Sequence, residues 1–369
     1  MDHLSKLLRK MRTLEASDLL LCADTPPAFR VHGKLIDRES DKPLTGNQIE
    51  KMLQLILIGD QQQQFQREHE INIGITLPDL GRFRINVYKQ RRNTSLAIRS
   101  IPDQIPDFES LRLPEALKDV VMQQSGLVFI TGAAGAGKST TLAAMINYRC
   151  QNSLGHIITV EDPLEYDIPH GKSVVSQREI GVDTNSYDMA LLNVVRQSPD
   201  VLMIGETRER KTMEHVLEFA ETGHLCLTTL HANNTTQTFE RIVNMFQDHE
   251  REQILNTIAG SFKAVLSQRL IAGTNGRLVL AFELLLPTSR TIDLIRRGEF
   301  WDLRDSLEKN TGSDMQSIDQ SLYELVRDNQ ISQETAVAHA TSVNNLRLRM
   351  KLEQKNEAST VTGSNNRAH

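Results

Sequence analysis

The segment Gly126–Thr141, GLVFITGAAGAGKSTT, constrains this chain more than any other stretch. Leu127–Ile130 is a short apolar run and reads as a buried strand. Gly132, Gly135 and Gly137 break that run, and Leu142–Tyr148 continues with helical spacing. Strand, glycine loop and helix, with G-x-x-x-x-G-K-[ST] met at Gly132, Gly137, Lys138 and Ser139, make a phosphate-binding loop. Glycines let backbone N–H groups turn inward on phosphate oxygens, and the helix N-terminus adds partial positive charge. The expected cradle is Gly132, Ala133, Ala134, Gly135, Ala136, Gly137, Lys138, Ser139 and Thr140. Within it, Lys138 is placed to reach the β- and γ-phosphates and Ser139 to hold Mg²⁺. A nucleoside triphosphate is the implied ligand.

What surrounds this loop must then be a sheet that can carry it. At 369 residues the chain suits two domains better than one core. Its net charge of −5 gives a nucleic-acid partner no global electrostatic support. Cys22, Cys150 and Cys226 are far apart, which argues against a zinc cluster or a disulfide framework and suits the reducing cytoplasm. The charge-studded N-terminus does not pattern as a signal peptide, and no apolar run approaches the length of a membrane span. Any membrane role is expected to come through a partner.

Leu4, Leu7, Leu8, Met11 and Leu14 recur at helical spacing, which predicts a helix over residues 3–15. Thr45 is placed to cap a second helix ending near Ile58. Ile71–Leu77, Gly81–Lys89 and Thr94–Ser100 alternate like strands. Together these predict a small α/β domain over residues 1–100, with the proline-bearing segment 101–110 as a linker. A larger α/β domain follows over 111–352, and the polar tail, 353–369, is expected to be disordered. The larger domain's strands are Leu127–Ile130, Ile157–Val160, Val201–Ile204 and Leu225–Leu230, separated by several helical stretches, so its sheet should be mostly parallel.

In such sheets ligands bind beyond the carboxyl ends of the strands. Those ends carry the phosphate loop, Glu161–Glu165, Glu206 and His231. Hydrolysis needs Mg²⁺, an oriented water and positive charge. Glu206, after an apolar strand, is the candidate for the Mg²⁺ shell, and Glu165 for polarising water. His231 could sense the γ-phosphate, whereas His224 follows a glycine and equally suits a packed or capping histidine. Strand alternation places Arg82 and Arg84 on one face, and Arg99 ends the next strand. They read either as a solvated basic face or as fingers acting on a neighbour's nucleotide, which would be worth about 10³ to 10⁵ in rate.

With these residues in view, the chain resembles the retraction ATPases of type IV pili, the PilT/PilU branch of the secretion-ATPase superfamily. The resemblance runs from the first helix to about residue 352. It rests on the phosphate loop, TVEDPLE (Thr159–Glu165), SQREIGVDT (Ser176–Thr184), PDVLMIGETR (Pro199–Arg208), ETGHLCLTTLH (Glu221–His231) and GRFRINVYKQRR (Gly81–Arg92). It implies a PAS-like N-terminal domain, a RecA-like P-loop domain, ATP and Mg²⁺ as ligands, and a homo-hexamer. It assigns Glu165 as catalytic base, Glu206 to the metal, and His224 and His231 to coupling and phosphate sensing. Arg82, Arg84 and Arg99 become interdomain or intersubunit charges. A cytoplasmic ring docked at the inner membrane on the pilus platform protein, and working with a PilT-like ATPase, is the implied setting.

The chain departs from the family pattern in three places. Ala133, Ala134 and Ala136 stand where a Pro-Thr pair and a serine are usual, Leu192 replaces an arginine, and the C-terminal signature survives only as TIDLIRRGE (Thr291–Glu299). With the extension past residue 340, these departures place the chain nearer the accessory PilU branch. Two functions are thereby expected: a motor that powers or assists retraction, or a weakly active partner ring of another retraction ATPase. A pilus-assembly or type II secretion ATPase is a lesser alternative, because the four-cysteine metal insert common there has no counterpart.

Overall fold

The amphipathic start of the chain folds as a helix, α1 (Asp2–Thr13), with Leu4, Leu7, Leu8 and Met11 buried. This computed structural model describes residues 2–31, 33–36, 42–102, 104–309 and 314–352. After α1 come β1 (Asp18–Leu21), β2 (Ala28–Val31), β3 (Lys34–Leu35), α2 (Gly46–Ile56), α3 (Asp60–Glu68), β4 (Glu70–Leu77), β5 (Gly81–Gln90) and β6 (Asn93–Ser100). Thr45 closes a capping box on α2. Its hydroxyl accepts from the Gln48 N–H at 3.3 Å, while its own N–H donates to Gln48 Oε1 at 2.8 Å. The helix ends at Ile56, two residues short of the sequence expectation. The glutamine run falls within α3, anchored by buried Phe65.

The six strands form one sheet in the order β3-β2-β1-β6-β5-β4, with the registered pairs antiparallel. One face is apolar. Phe83, Ile85 and Val87 of β5 alternate inward and meet Leu8, Met11, Leu19 and Ile49 in a shared core. Arg12 pins α1 over this sheet, its guanidinium 5.4 Å from the Phe83 ring centroid and its Nε donating to the Leu80 carbonyl at 2.7 Å.

The remaining elements are α4 (Ala116–Val121), β7 (Gly126–Gly132), α5 (Lys138–Asn152), β8 (His156–Glu161), β9 (Val174–Glu179), α6 (Tyr187–Val194), β10 (Val201–Ile204), α7 (Arg210–Glu221), β11 (Leu225–Leu230), α8 (Thr235–Val243), α9 (Arg251–Ser261), β12 (Phe262–Ala272), β13 (Leu278–Leu285), α10 (Ser289–Arg297), α11 (Asp302–Lys309), α12 (Ile318–Arg327) and α13 (Gln333–His339). Residues 343–352 are also helical. A seven-stranded sheet runs β13-β12-β7-β11-β10-β8-β9. Neighbours from β12 to β8 are parallel, and β13 closes one edge antiparallel to β12. Every residue of β7, β10 and β11 is buried, as a parallel sheet covered on both faces requires. This is the expected α/β architecture with a RecA-like nucleotide domain.

Contacts divide the chain into two units. One holds the described residues up to Ile105 together with Leu164–Asp167 and Glu179–Asn185; the other holds the described residues of Pro106–Pro163, Ile168–Arg178 and Ser186 onward. The segment read as a linker, 101–110, is thus shared between the units. Phe108 is buried in the second one, its ring centroid 5.3 Å from that of Tyr148 on α5. The tail expected over 353–369 lies outside the described residues.

Candidate active site

The buried strand β7 carries the phosphate loop straight off the sheet. At Gly132 φ is +150°, and a Cβ there would stand 2.6 Å from the Gln268 carbonyl oxygen on β12. Only glycine lets the chain leave the sheet so close to its neighbour. The loop then ends on Gly137, and α5 begins with Lys138. Lys138 is buried, and its ammonium donates to the carbonyls of Gly132 and Ala133, each at 3.0 Å. Burial pushes its pKa down, and the charge of Glu206 pushes back. Ala133, Ala134 and Ser139 are exposed, while Thr141, two residues past Ser139, is buried and accepts from Gln268 Nε2 at 2.8 Å. Behind the loop, Arg149 donates to the carbonyls of Val121 and Gln123 at 2.6 Å, fastening α5 to the end of α4.

Glu206 stands two residues past the end of β10, on the same sheet edge. Its Oε1 is 2.7 Å from His231 Nε2, and its Oε2 accepts from Arg208 at 2.7 Å. Burial would raise the Glu206 pKa. The Arg208 hydrogen bond and the charges of His231, Arg208 and Lys138 outweigh it and hold the carboxyl below its ordinary range. The guanidinium of Arg208 is 70% exposed and so is the more replaceable of the two partners. Thr229 locks the strand end, its hydroxyl donating to the Gly205 carbonyl at 2.7 Å, and the Thr207 and Thr228 hydroxyls lie 2.8 Å apart.

Three acidic side chains bear electrostatically on the Tyr187 hydroxyl. Burial raises the phenol's pKa, and the charges of Asp162, Glu161 and Glu206 raise it further, so Tyr187 stays a neutral phenol. Gly205 makes room for them: a Cβ there would lie 3.3 Å from the Glu161 Cα and 3.5 Å from the Tyr187 oxygen. Glu161 accepts from Thr159 at 2.7 Å and from Gln177 at 3.2 Å. Tyr187 carries no signal in the sequence as a site group, because α6 reaches the edge only through tertiary packing; Arg208 ends the motif PDVLMIGETR, where it has no assigned role.

The donor set is hard oxygen: the Glu206 carboxylate and the Ser139 hydroxyl at the head of α5. That suits Mg²⁺, which binds through one or two protein ligands plus phosphate oxygens and water. Among the described residues no three His, Cys, Asp or Glu side chains form an all-protein metal cage.

The remaining expected residues are placed elsewhere. His224 sits at the opposite end of β11 from His231, about 20 Å away along a strand of this length. There its ring stacks on Phe219 at 4.5 Å, and its Nδ1 lies 3.1 Å from the Thr222 hydroxyl. Glu165 lies in Leu164–Asp167, which groups with the N-terminal unit, and it is half-buried there. Arg82, Arg84 and Arg99 share the face of the N-terminal sheet that points away from its apolar core, with Arg84 directly opposite Arg99. Arg82 donates to Glu179 at 2.8 Å, and Arg99 to Asp18 at 3.0 Å.

Comparison with known proteins bears on this arrangement. Residues 68–355 match the family model described as type II/IV secretion system protein. The chain is 43% identical to the type IV pilus ATPase PilU of Pseudomonas aeruginosa over 354 residues, covering 96% of this chain and 92% of that one. It is 35% identical to the type IV pilus retraction ATPase PilT of the same organism over 321 residues, covering 87% and 93%. Among solved structures it is similar to the pilus retraction motor PilT with bound ADP, with a TM-score of 0.86 and 35% identity, covering 93% of this chain and 98% of that one.

Proposed function

We propose, from the premise that this chain belongs to the type II/IV secretion system protein family, that it is a hexameric ring powering or assisting type IV pilus retraction through Mg²⁺-dependent ATP hydrolysis. At the coarser level the chain is an ATPase of type IV pilus motility. The observation that carries the reading is one sheet edge holding both Lys138 on the phosphate loop and the Glu206–His231 pair.

In this reading the loop N–H groups and Lys138 bind the triphosphate, exchanging the lysine's contacts with its own loop carbonyls for phosphate oxygens. Ser139 and Glu206 hold Mg²⁺, which supplies charge neutralisation at the phosphates when bound. Glu206 releases Arg208, its exposed partner, and keeps His231, so a change at the γ-phosphate reaches β11 through that histidine. Glu165 orients the attacking water. Arg84 and Arg99 act on a neighbouring subunit's nucleotide, with Arg82 held in place by Glu179. The two units serve as an N-terminal domain and a motor domain, and the ring docks at the inner membrane through the pilus platform protein. Among the described residues no helix is long and apolar enough to cross a membrane, in keeping with docking through a partner.

A second reading, a weakly active ring that supports another retraction ATPase, is favoured by one feature. Ala133 and Ala134 are exposed on the loop and offer no hydroxyl to a phosphate. Steady-state ATP turnover, measured alone and with a PilT-like ATPase, separates the two. Turnover by the chain alone, lost in Glu165→Gln, supports the motor. Turnover appearing only with the partner supports the accessory ring, and full activity in Glu165→Gln overturns the assignment of the base.

A further inference from the structure

The last helix, residues 343–352, is fastened along one side and exposed along the other. At its start the Asp319 carboxylate on α12 accepts from the Thr341 and Ser342 N–H groups, each at 2.7 Å. Leu346 and Met350 are buried in the cluster shared by α12, α13 and the β12–β13 hairpin. Arg349 lies over the Tyr323 ring, its guanidinium 4.6 Å from the centroid. The side opposite the buried pair carries Leu348 and Leu352, one turn apart, 58% and 54% exposed. At about 100° per residue, exposed Arg347 and Lys351 border this leucine pair on one flank and Arg349 borders it on the other.

We propose that this face docks on an anionic lipid surface, with the leucines entering the headgroup boundary and the three cations meeting lipid phosphates. Residues 343–352 hold three cations and no acidic residue, in a chain whose net charge is −5. Surface-seeking helices combine an apolar strip with flanking Lys and Arg in this way, because their long stems follow the apolar side chains inward while the charged ends stay at the phosphates. Each cation near an anionic leaflet strengthens binding by about fivefold. Among the described residues no helix is long and apolar enough to cross a membrane, so the contact is one of surface and not of span. It adds to docking through the platform protein. The contact itself does not depend on the ring proposed above, but in such a ring cyclic symmetry would turn every copy's face to the same side, and the copies would bind together.

The other occupants suit the face less well. The chain's own continuation, residues 353–369, offers one large apolar residue, Val361, and balances Lys355 and Arg367 against Glu353 and Glu357. A second copy laid face to face would set cations against cations, since the segment has no carboxylate to answer them. An acidic protein surface would satisfy the cations and leave the leucines without a role.

The test is co-sedimentation of the full chain with phosphatidylcholine vesicles and with vesicles that also contain phosphatidylglycerol. At low salt the wild type is expected to pellet with the anionic vesicles and to stay in solution with the neutral ones. Arg347→Gln combined with Lys351→Gln should weaken pelleting by about tenfold or more. Leu348→Ser combined with Leu352→Ser should weaken it by about tenfold as well. All four positions are exposed, so both variants should keep the wild-type melting curve. No pelleting with anionic vesicles, equal pelleting with neutral ones, or wild-type pelleting by either variant overturns the proposal. Wild-type pelleting by the serine variant alone would mark a purely electrostatic face, as an acidic protein requires. A smaller oligomer in the serine variant would give the face to a second copy instead, and also overturns it. ATP turnover has no part in the readout, so failure here is separate from failure of the ATPase reading.

Discussion

The two sheets of this molecule solve the same packing problem in opposite ways. The N-terminal sheet buries one face and turns the other outward, so its charged residues spread across a surface. Arg30, Asp18, Arg99 and Arg84 stand in one register row across four strands. In the C-terminal sheet the central strands β7, β10 and β11 are buried along their whole length and carry no charged residue, and the parallel order brings their carboxyl ends to one edge. Lys138, Glu206 and His231 meet at that edge.

Two carboxylates carry the contrast into electrostatics. Each bonds an arginine, yet their pKa values move in opposite directions. Glu179 is almost completely buried, and that burial raises its pKa despite Arg82 and Arg84. Glu206 is also partly desolvated, but Arg208, His231 and Lys138 surround it and lower its pKa. A single guanidinium does not decide the charge state; depth and the number of nearby cations do.

The sharpest way to break the comparison is at Glu206. Glu206→Gln keeps the shape of the edge and removes its charge, and turnover should fall about 10²- to 10³-fold; a steady-state ATPase assay near wild-type rate would remove Glu206 from the chemistry. Next comes the doubly covered sheet. Phe239 is fully buried between Phe262 and Phe300, so Phe239→Ala should cost about 3–5 kcal/mol in urea unfolding. A loss under about 1 kcal/mol would mean that this layer is not close-packed.

A smaller effect is expected at the charged face. Arg82→Ala strands the Glu179 carboxylate, at a cost of about 1–3 kcal/mol near pH 8. Glu179 has a raised folded pKa, so its charged form destabilises the fold above that pKa, and protonation relieves the cost as pH falls through it. Thermal melts should therefore show a smaller deficit for Arg82→Ala at pH 5 than at pH 8, and a deficit that grows on acidification would contradict the assignment. Smallest on stability is Arg99→Ala. Its ion pair with Asp18 is exposed, and its loss should change unfolding by no more than about 1 kcal/mol. A large fall in turnover with so small a change in stability would sharpen the role of Arg99 as a charge acting on a neighbour.

The four parallel core strands and the phosphate loop were legible because their signals are local: apolar runs, glycines and a lysine at fixed spacing. Arg82 and Arg84 were legible as sharing a face for the same reason. Their partner Glu179 was not, since it lies 97 positions away and only the fold brings it near. The β12–β13 pair escaped a reading based on alternation because β12 is buried along most of its length, which erases the period of two. Tyr187 likewise comes near Glu161 only through the fold, at a point where a Cβ on Gly205 would already stand 3.3 Å from the Glu161 Cα. His231 and His224 flank a single strand, and the sheet separates them: one stands 2.7 Å from Glu206, and the other packs against Phe219.

The most direct test of the central claim is ATP hydrolysis by the purified full chain with Mg²⁺, beside Lys138→Ala. The account predicts that the variant, folded by its melting curve, loses turnover by at least about 10²-fold. Turnover equal to the wild type would contradict it and place the nucleotide chemistry away from this sheet edge.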